Sequence, residues 1–212
     1  VSLLVQLFLY LVNTLSNLFR QDFEDLNHSD SNYFIIVIFF FILVPFIIGL
    51  VVGIIRNFNK DKRWHGPPDV ILSVHQDRQQ LNIKSGFLTS FASVLSISVG
   101  SSVGQYGPLV HFGGTIGAEI KKLFSFAPDY KILVSAGVAS AISSGFGAPL
   151  AGLIFAREVV LRHQSLASFS PILLSSIISY VITTKFFNYE PAFEIPYGEI
   201  NSISQIIIII FG

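Results

Sequence analysis

Uncharged apolar runs recur along this chain. Most approach the roughly 20 residues needed to cross a bilayer, and none alternates with the period of a strand. Ser2 to Phe19 reads as a first helix and Phe34 to Ile55 as the strongest span, with Pro45 expected to kink it. A polar segment, Arg56 to Gly66, leads through Pro67-Pro68-Asp69 into a short helix from Val70 to about Gln80. Ser85 to Gly100 forms a further helix. Its run carries no formal charge as far as Glu119, yet Gly104-Gln105-Tyr106-Gly107-Pro108 breaks it in the middle. Pro108 can open the next helix, because the first turn has no use for the N–H that proline lacks. That helix ends near Lys121-Lys122. Ile132 to Ala156 is cut by Gly145-Phe146-Gly147-Ala148-Pro149 into two short helices, which pack through Gly137, Ala139, Ser140 and Ala141. Gln164 to Thr184 is another full span. A polar loop, Asn188 to Asn201, precedes a last apolar run.

Composition turns this pattern into a class. The chain is 51% hydrophobic and 12% charged, with a mean hydropathy of +0.65, against about 25% charged residues in soluble domains. The expectation is an all-α, polytopic integral membrane protein of tilted and broken helices, with the lipid bilayer as its surroundings. Zero net charge and the lack of a long basic run argue against nucleic acid as a partner. Without cysteine there are no disulfides or thiolate metal sites. The chain also lacks methionine and begins and ends inside apolar runs, so it reads as a portion of a longer protein.

Charge placement predicts sidedness, since lysine and arginine favour cytoplasmic loops. Arg56, Lys60, Lys62 and Arg63 follow the second span, whereas Asp22, Glu24, Asp25 and Asp30 precede it. The loop near 56–66 is therefore expected inside and that near 20–32 outside. Residues 120–131 and 157–163 also fall inside, and 188–201 outside. Segments 66–80 and 108–122 then behave as partial or re-entrant helices. Trp64 and Tyr33 suit interfacial anchoring.

Two helices begin at glycine–proline breaks, one at Gly66-Pro67-Pro68 and one at Gly107-Pro108. A helix start leaves N–H groups without intrahelical partners and carries about half a positive charge. Two such ends aimed at one point can hold an anion without a lysine or arginine. The plainer reading is a pair of ordinary kinked or re-entrant helices. Interrupted backbone at membrane depth is tolerated only inside protein or along a cavity. His65, His75 and His111 share no helical ligand spacing, so no metal site is expected. Glu119 reads as a paired or solvated helix end, and Glu158 as a residue of the membrane edge. No nucleophile–base or paired-carboxylate constellation lies within the spans, so neither an enzyme nor a cofactor is expected.

Three segments in order carry a resemblance: Gly66-Pro67-Pro68-Asp69-Val70, then Gly104-Gln105-Tyr106-Gly107-Pro108-Leu109-Val110-His111, then Ala148-Pro149-Leu150-Ala151-Gly152-Leu153-Ile154-Phe155. Together they resemble the CLC family of chloride channels and chloride/proton exchangers, whose patterns are Gly-Ser-Gly-Ile-Pro-Glu, Gly-Lys/Arg-Glu-Gly-Pro-x-Val-His and Asn-Ala-Pro-Leu-Ala-Gly-x-x-Phe. Asn188-Tyr189-Glu190 resembles the loop closing that family's first half. The resemblance implies that residues 1–212 are the N-terminal half of a transmembrane anion-transport domain, one of two inverted repeats, in a homodimer with a pore in each subunit. It implies an anion site at His65, Gly66, Gln105, Tyr106 and Gly107, with chloride as the transported ion. His65 stands where the family has a pore serine. Tyr106 stands at the gating glutamate, and a phenol with a pKa near 10 does not shuttle protons readily. Glu158 and Val159 align with the family's later glutamate pair, so its second, proton-accepting member is missing. The expectation is passive anion transport, uncoupled from protons, with Tyr106 as an uncharged gate. The alternatives are a transport-inactive structural or regulatory subunit, and a proton-coupled exchanger using other residues.

Overall fold

A computed structural model describes residues 1–24, 31–59, 61–76, 81–124, 128–162 and 165–187; among them every regular element is a helix. In order these are α1 Ser2–Glu24, α2 Ser31–Asn57, α3 Pro67–His75, α4 Ile83–Ser98, α5 Tyr106–Leu123, α6 Tyr130–Phe146, α7 Pro149–Phe155 and α8 Leu166–Phe186, with one π-helical turn, Ala156–Leu161, after α7. The predicted loop at 188–201, the segment Asn188-Tyr189-Glu190 within it and the last apolar run lie outside the described residues.

Every predicted break is present, and the helix starts move. α3 begins at Pro67 instead of Val70, because prolines at its first two positions forfeit only N–H groups that would lack partners. α5 begins at Tyr106, so Pro108 is its third residue and still within the tolerant first turn. α2 runs unbroken through Pro45. Gly147, at φ 65°, ends α6 in the left-handed conformation, and Pro149 opens α7 two residues later. By length and apolar composition Ser2–Phe19 and Leu166–Phe186 can cross a membrane; Ile42–Asn57 and Ile83–Ser98 are shorter apolar helices.

α6 is the centre of the fold, with every residue from Val134 to Gly145 buried. Its small residues face α5 as well as α7, a wider role than the sequence predicts for them. A methyl group on Gly113 would lie 2.5 Å from the Gly137 carbonyl oxygen, and methyls on Gly117 or Gly137 would collide with the backbone of Leu133 or Gly113. The α5 and α6 backbones thus touch, as small residues permit within membranes. Toward α8, hydroxyls do the fastening. Ser143 Oγ donates to the Ser176 carbonyl at 2.7 Å, Ser179 Oγ to Ser140 at 2.8 Å and Ser175 Oγ to Ala136 at 3.0 Å. Ser176 Oγ reaches the Pro149 carbonyl at 2.6 Å and anchors the start of α7. Each such bond contributes about 0.6 kcal/mol in a membrane bundle, so the ladder gains from number and register. A second cluster joins Val5, Phe8 and Val12 of α1 to Val94, Leu109 and Ala141.

Candidate anion site

The α3 turn is built around one carboxylate. Gly66 is extended, and its N–H donates to Asp69 Oδ2 at 2.9 Å; the Asp69 N–H returns to the Gly66 carbonyl at 3.0 Å. Arg63 Nη2 donates to Asp69 Oδ1 at 2.5 Å, and this bond holds the guanidinium above its ordinary pKa. His65 Nδ1 stands 3.6 Å from Asp69 Oδ1, and its Nε2 3.9 Å from Asp61. Since Pro67 and Pro68 have no N–H, the positive end of α3 offers its dipole to a carboxylate already in place. The Gly66 amide is engaged.

The α5 turn is different. Gln105 caps it with no side-chain hydrogen bond, Pro108 has no N–H, and the amides of Tyr106 and Gly107 have no intrahelical acceptor. A methyl group on Gly107 would lie 3.7 Å from Pro67 Cδ, so the two helix starts meet. One turn into α5, His111 stacks on His65 with ring centroids 5.5 Å apart and planes at 27°. His111 is only 1% exposed, and its Nδ1 has no hydrogen-bond partner among the described residues.

The Tyr106 ring turns away from this junction. It lies against Phe146 with centroids 3.7 Å apart and planes at 19°, beside Gly145 and the α1–α4 cluster. At the inferred gate position the aromatic ring is thus packed on α6.

The structure therefore brings Gly107 against the α3 start and His65 against His111, with Gly66, Arg63 and Asp69 on the α3 side; Gln105 caps α5 beside them, and the Tyr106 side chain lies apart. The His65–His111 pair escapes a search for helical ligand spacing because the two residues lie on different elements. Its signal was the offset of each from a glycine–proline break: His65 precedes Gly66, and His111 follows Gly107 by one turn. His75 joins neither, since its Nε2 meets the Val160 carbonyl at 3.0 Å. Glu119 pairs with Lys122 at 2.7 Å. Glu158 is exposed on the π-helical turn, and Val159 beside it is half-buried. Among the described residues no three potential metal ligands converge.

Broken apolar helices that meet end to end inside a helical bundle define a class of membrane proteins. The chain belongs to the voltage-gated chloride channel family, whose model matches residues 46–212. It is 26% identical over 164 residues to a putative chloride channel protein ClcB-like of Ralstonia nicotianae, covering 74% of this chain and 38% of that protein. It is 26% identical over 146 residues to the voltage-gated ClC-type chloride channel ClcB of Shigella flexneri, covering 67% and 34%. It is 34% identical over 164 residues to chloride channel protein CLC-e of Arabidopsis thaliana, covering 73% and 22%. The matches thus span about a fifth to two fifths of these relatives' lengths.

Proposed function

We propose that this chain is the N-terminal half of a multi-pass anion-transport domain that passes chloride or a similar small anion down its gradient, uncoupled from protons. One observation supports the reading: the α5 start, whose first amides lack intrahelical acceptors, lies against the α3 start, and the residue at that turn is a phenol instead of a carboxylate. The resident Asp69 carboxylate weakens the hold of the α3 end on a second anion, which suits an ion that must leave again. The names of the family and its relatives support chloride as the cargo. A homodimer with one pore per subunit belongs to the same proposal, on the resemblance of the three motifs to the family. No resident cofactor and no enzymatic step form part of this reading.

Flux from liposomes holding the complete protein tests it. Chloride should leave when the voltage is clamped, without proton movement. Chloride-driven proton pumping that is abolished by Tyr106→Phe or Val159→Ala would overturn the uncoupled reading in favour of an exchanger. A second reading, a transport-inactive subunit, draws on bulk: His65 is packed against His111, and Tyr106 against Phe146. Absence of any anion flux from well-folded protein would select it.

A further inference from the structure

Away from the α3–α5 junction, a cavity of about 520 Å³ opens where α3 ends, α6 and α8 begin, and the π-helical turn gives way to the next helix. It is lined by His75, Asp129, Lys131, Arg162, Ser165 and Ser168 among others. Its volume lies within the range of small-molecule sites, about 300–1,000 Å³. Among the described residues neither Lys131 nor Arg162 is within salt-bridge distance of a carboxylate. Arg162 owes its position to backbone: it closes the π-helical turn at φ 52°, with its N–H bonded to the Arg157 carbonyl at 2.8 Å. α6 and α8, of 17 and 21 residues, both begin at this cavity, with residues of their first turns in its lining. Asp129 supplies the single carboxylate of the lining, and its side chain makes no cap hydrogen bond to α6. Two cations and two helix starts therefore face one anion of the protein's own.

We propose that this cavity binds a phosphate group, carried by the headgroup of an acidic phospholipid. Basic pockets between membrane helices take such headgroups, and each lysine or arginine near the surface adds about 1 kcal/mol of attraction. The Ser165 hydroxyl supplies a further polar contact at the rim, whereas the Ser168 hydroxyl is buried and donates to the Ser165 carbonyl at 2.8 Å. Ser165 Oγ already accepts from the Ala167 N–H at 3.2 Å, and its own hydrogen is free to reach an oxygen outside. Leu166, next along the chain, is 87% exposed and provides an apolar wall for an acyl chain beside the headgroup site.

The complete protein in nanodiscs provides the test, with a fluorescent phosphatidylglycerol as probe in a phosphatidylcholine background and inorganic phosphate as the soluble competitor. Lys131→Gln with Arg162→Gln should weaken probe binding about 30-fold, fivefold for each charge. The charge-preserving pair Lys131→Arg with Arg162→Lys should bind like the wild type, and so should Lys84→Gln, whose lysine lies outside the cavity. On the wild-type protein, Lys131 should be shielded from an amine-reactive label when phosphatidylglycerol is present, which needs no variant to fold. Shielding by the lipid but not by phosphate identifies the headgroup as the source. Equal shielding by phosphate alone keeps the site and overturns the lipid assignment. Unchanged probe binding in the double glutamine variant, or unchanged labelling of Lys131, overturns the proposal.

Discussion

Replacing Asp69 by asparagine separates two jobs of one carboxylate. Asparagine keeps an oxygen to accept from the Gly66 N–H, so the cap, worth about 1 kcal/mol, survives. What is lost is the pair with Arg63, whose side chain is 47% exposed and therefore screened, at most about 1 kcal/mol. The favourable placing of a negative charge at the α3 start, about 0.3–1 kcal/mol, is lost as well. Asp69→Asn should then destabilise by about 1–2 kcal/mol, and Asp69→Ala, which also loses the cap, by about 2–3 kcal/mol. Anion binding should move the other way. With no resident carboxylate, the α3 dipole acts on the incoming ion and strengthens its binding about two- to fivefold. Thermal unfolding of the complete protein across a chloride series reads both effects, because a ligand of the folded state raises stability as its concentration exceeds Kd. Equal losses for asparagine and alanine would refute the capping role. A chloride dependence no steeper than that of the wild type would refute the competition between Asp69 and the anion.

Substitutions at five further positions probe the scaffold. Gly117→Ala or Gly137→Ala sets a methyl group on the facing backbone, which cannot yield as a side chain does, so losses should exceed the usual overpacking cost of about 1–3 kcal/mol. Gly104→Ala, with nothing within 4 Å of its Cβ position, should stay within about 0.5 kcal/mol; melting in detergent compares the three. Thr183→Val removes the 2.8 Å partner of Ser144 Oγ in a fully buried place and should cost about 1 kcal/mol by the same measurement. Tyr106→Phe keeps the stack on Phe146, whereas Tyr106→Leu gives up an aromatic pair worth about 0.5–1.5 kcal/mol; melting should separate them in that order.

The helices and their interruptions were legible in the chain because they follow local rules. Apolar run length, proline at a first turn and glycine at a break act over a few residues and leave the same mark wherever they occur. Even so, α3 starts three residues before the sequence places it, since two prolines in a row resemble a loop unless Gly66 and Asp69 cap each other. The candidate site was legible as two separate turns and no further. The Asp69 cap is local to residues 63–69, but that the two turns meet and that His65 rests on His111 depend on how α5 packs against α3 and α6. That approach comes from glycines on different helices fitting each other, a relation between distant residues that no single window of sequence contains. The orientation of Tyr106 has the same origin: its place at the turn is local, and the face it presents was chosen by Phe146, forty residues on.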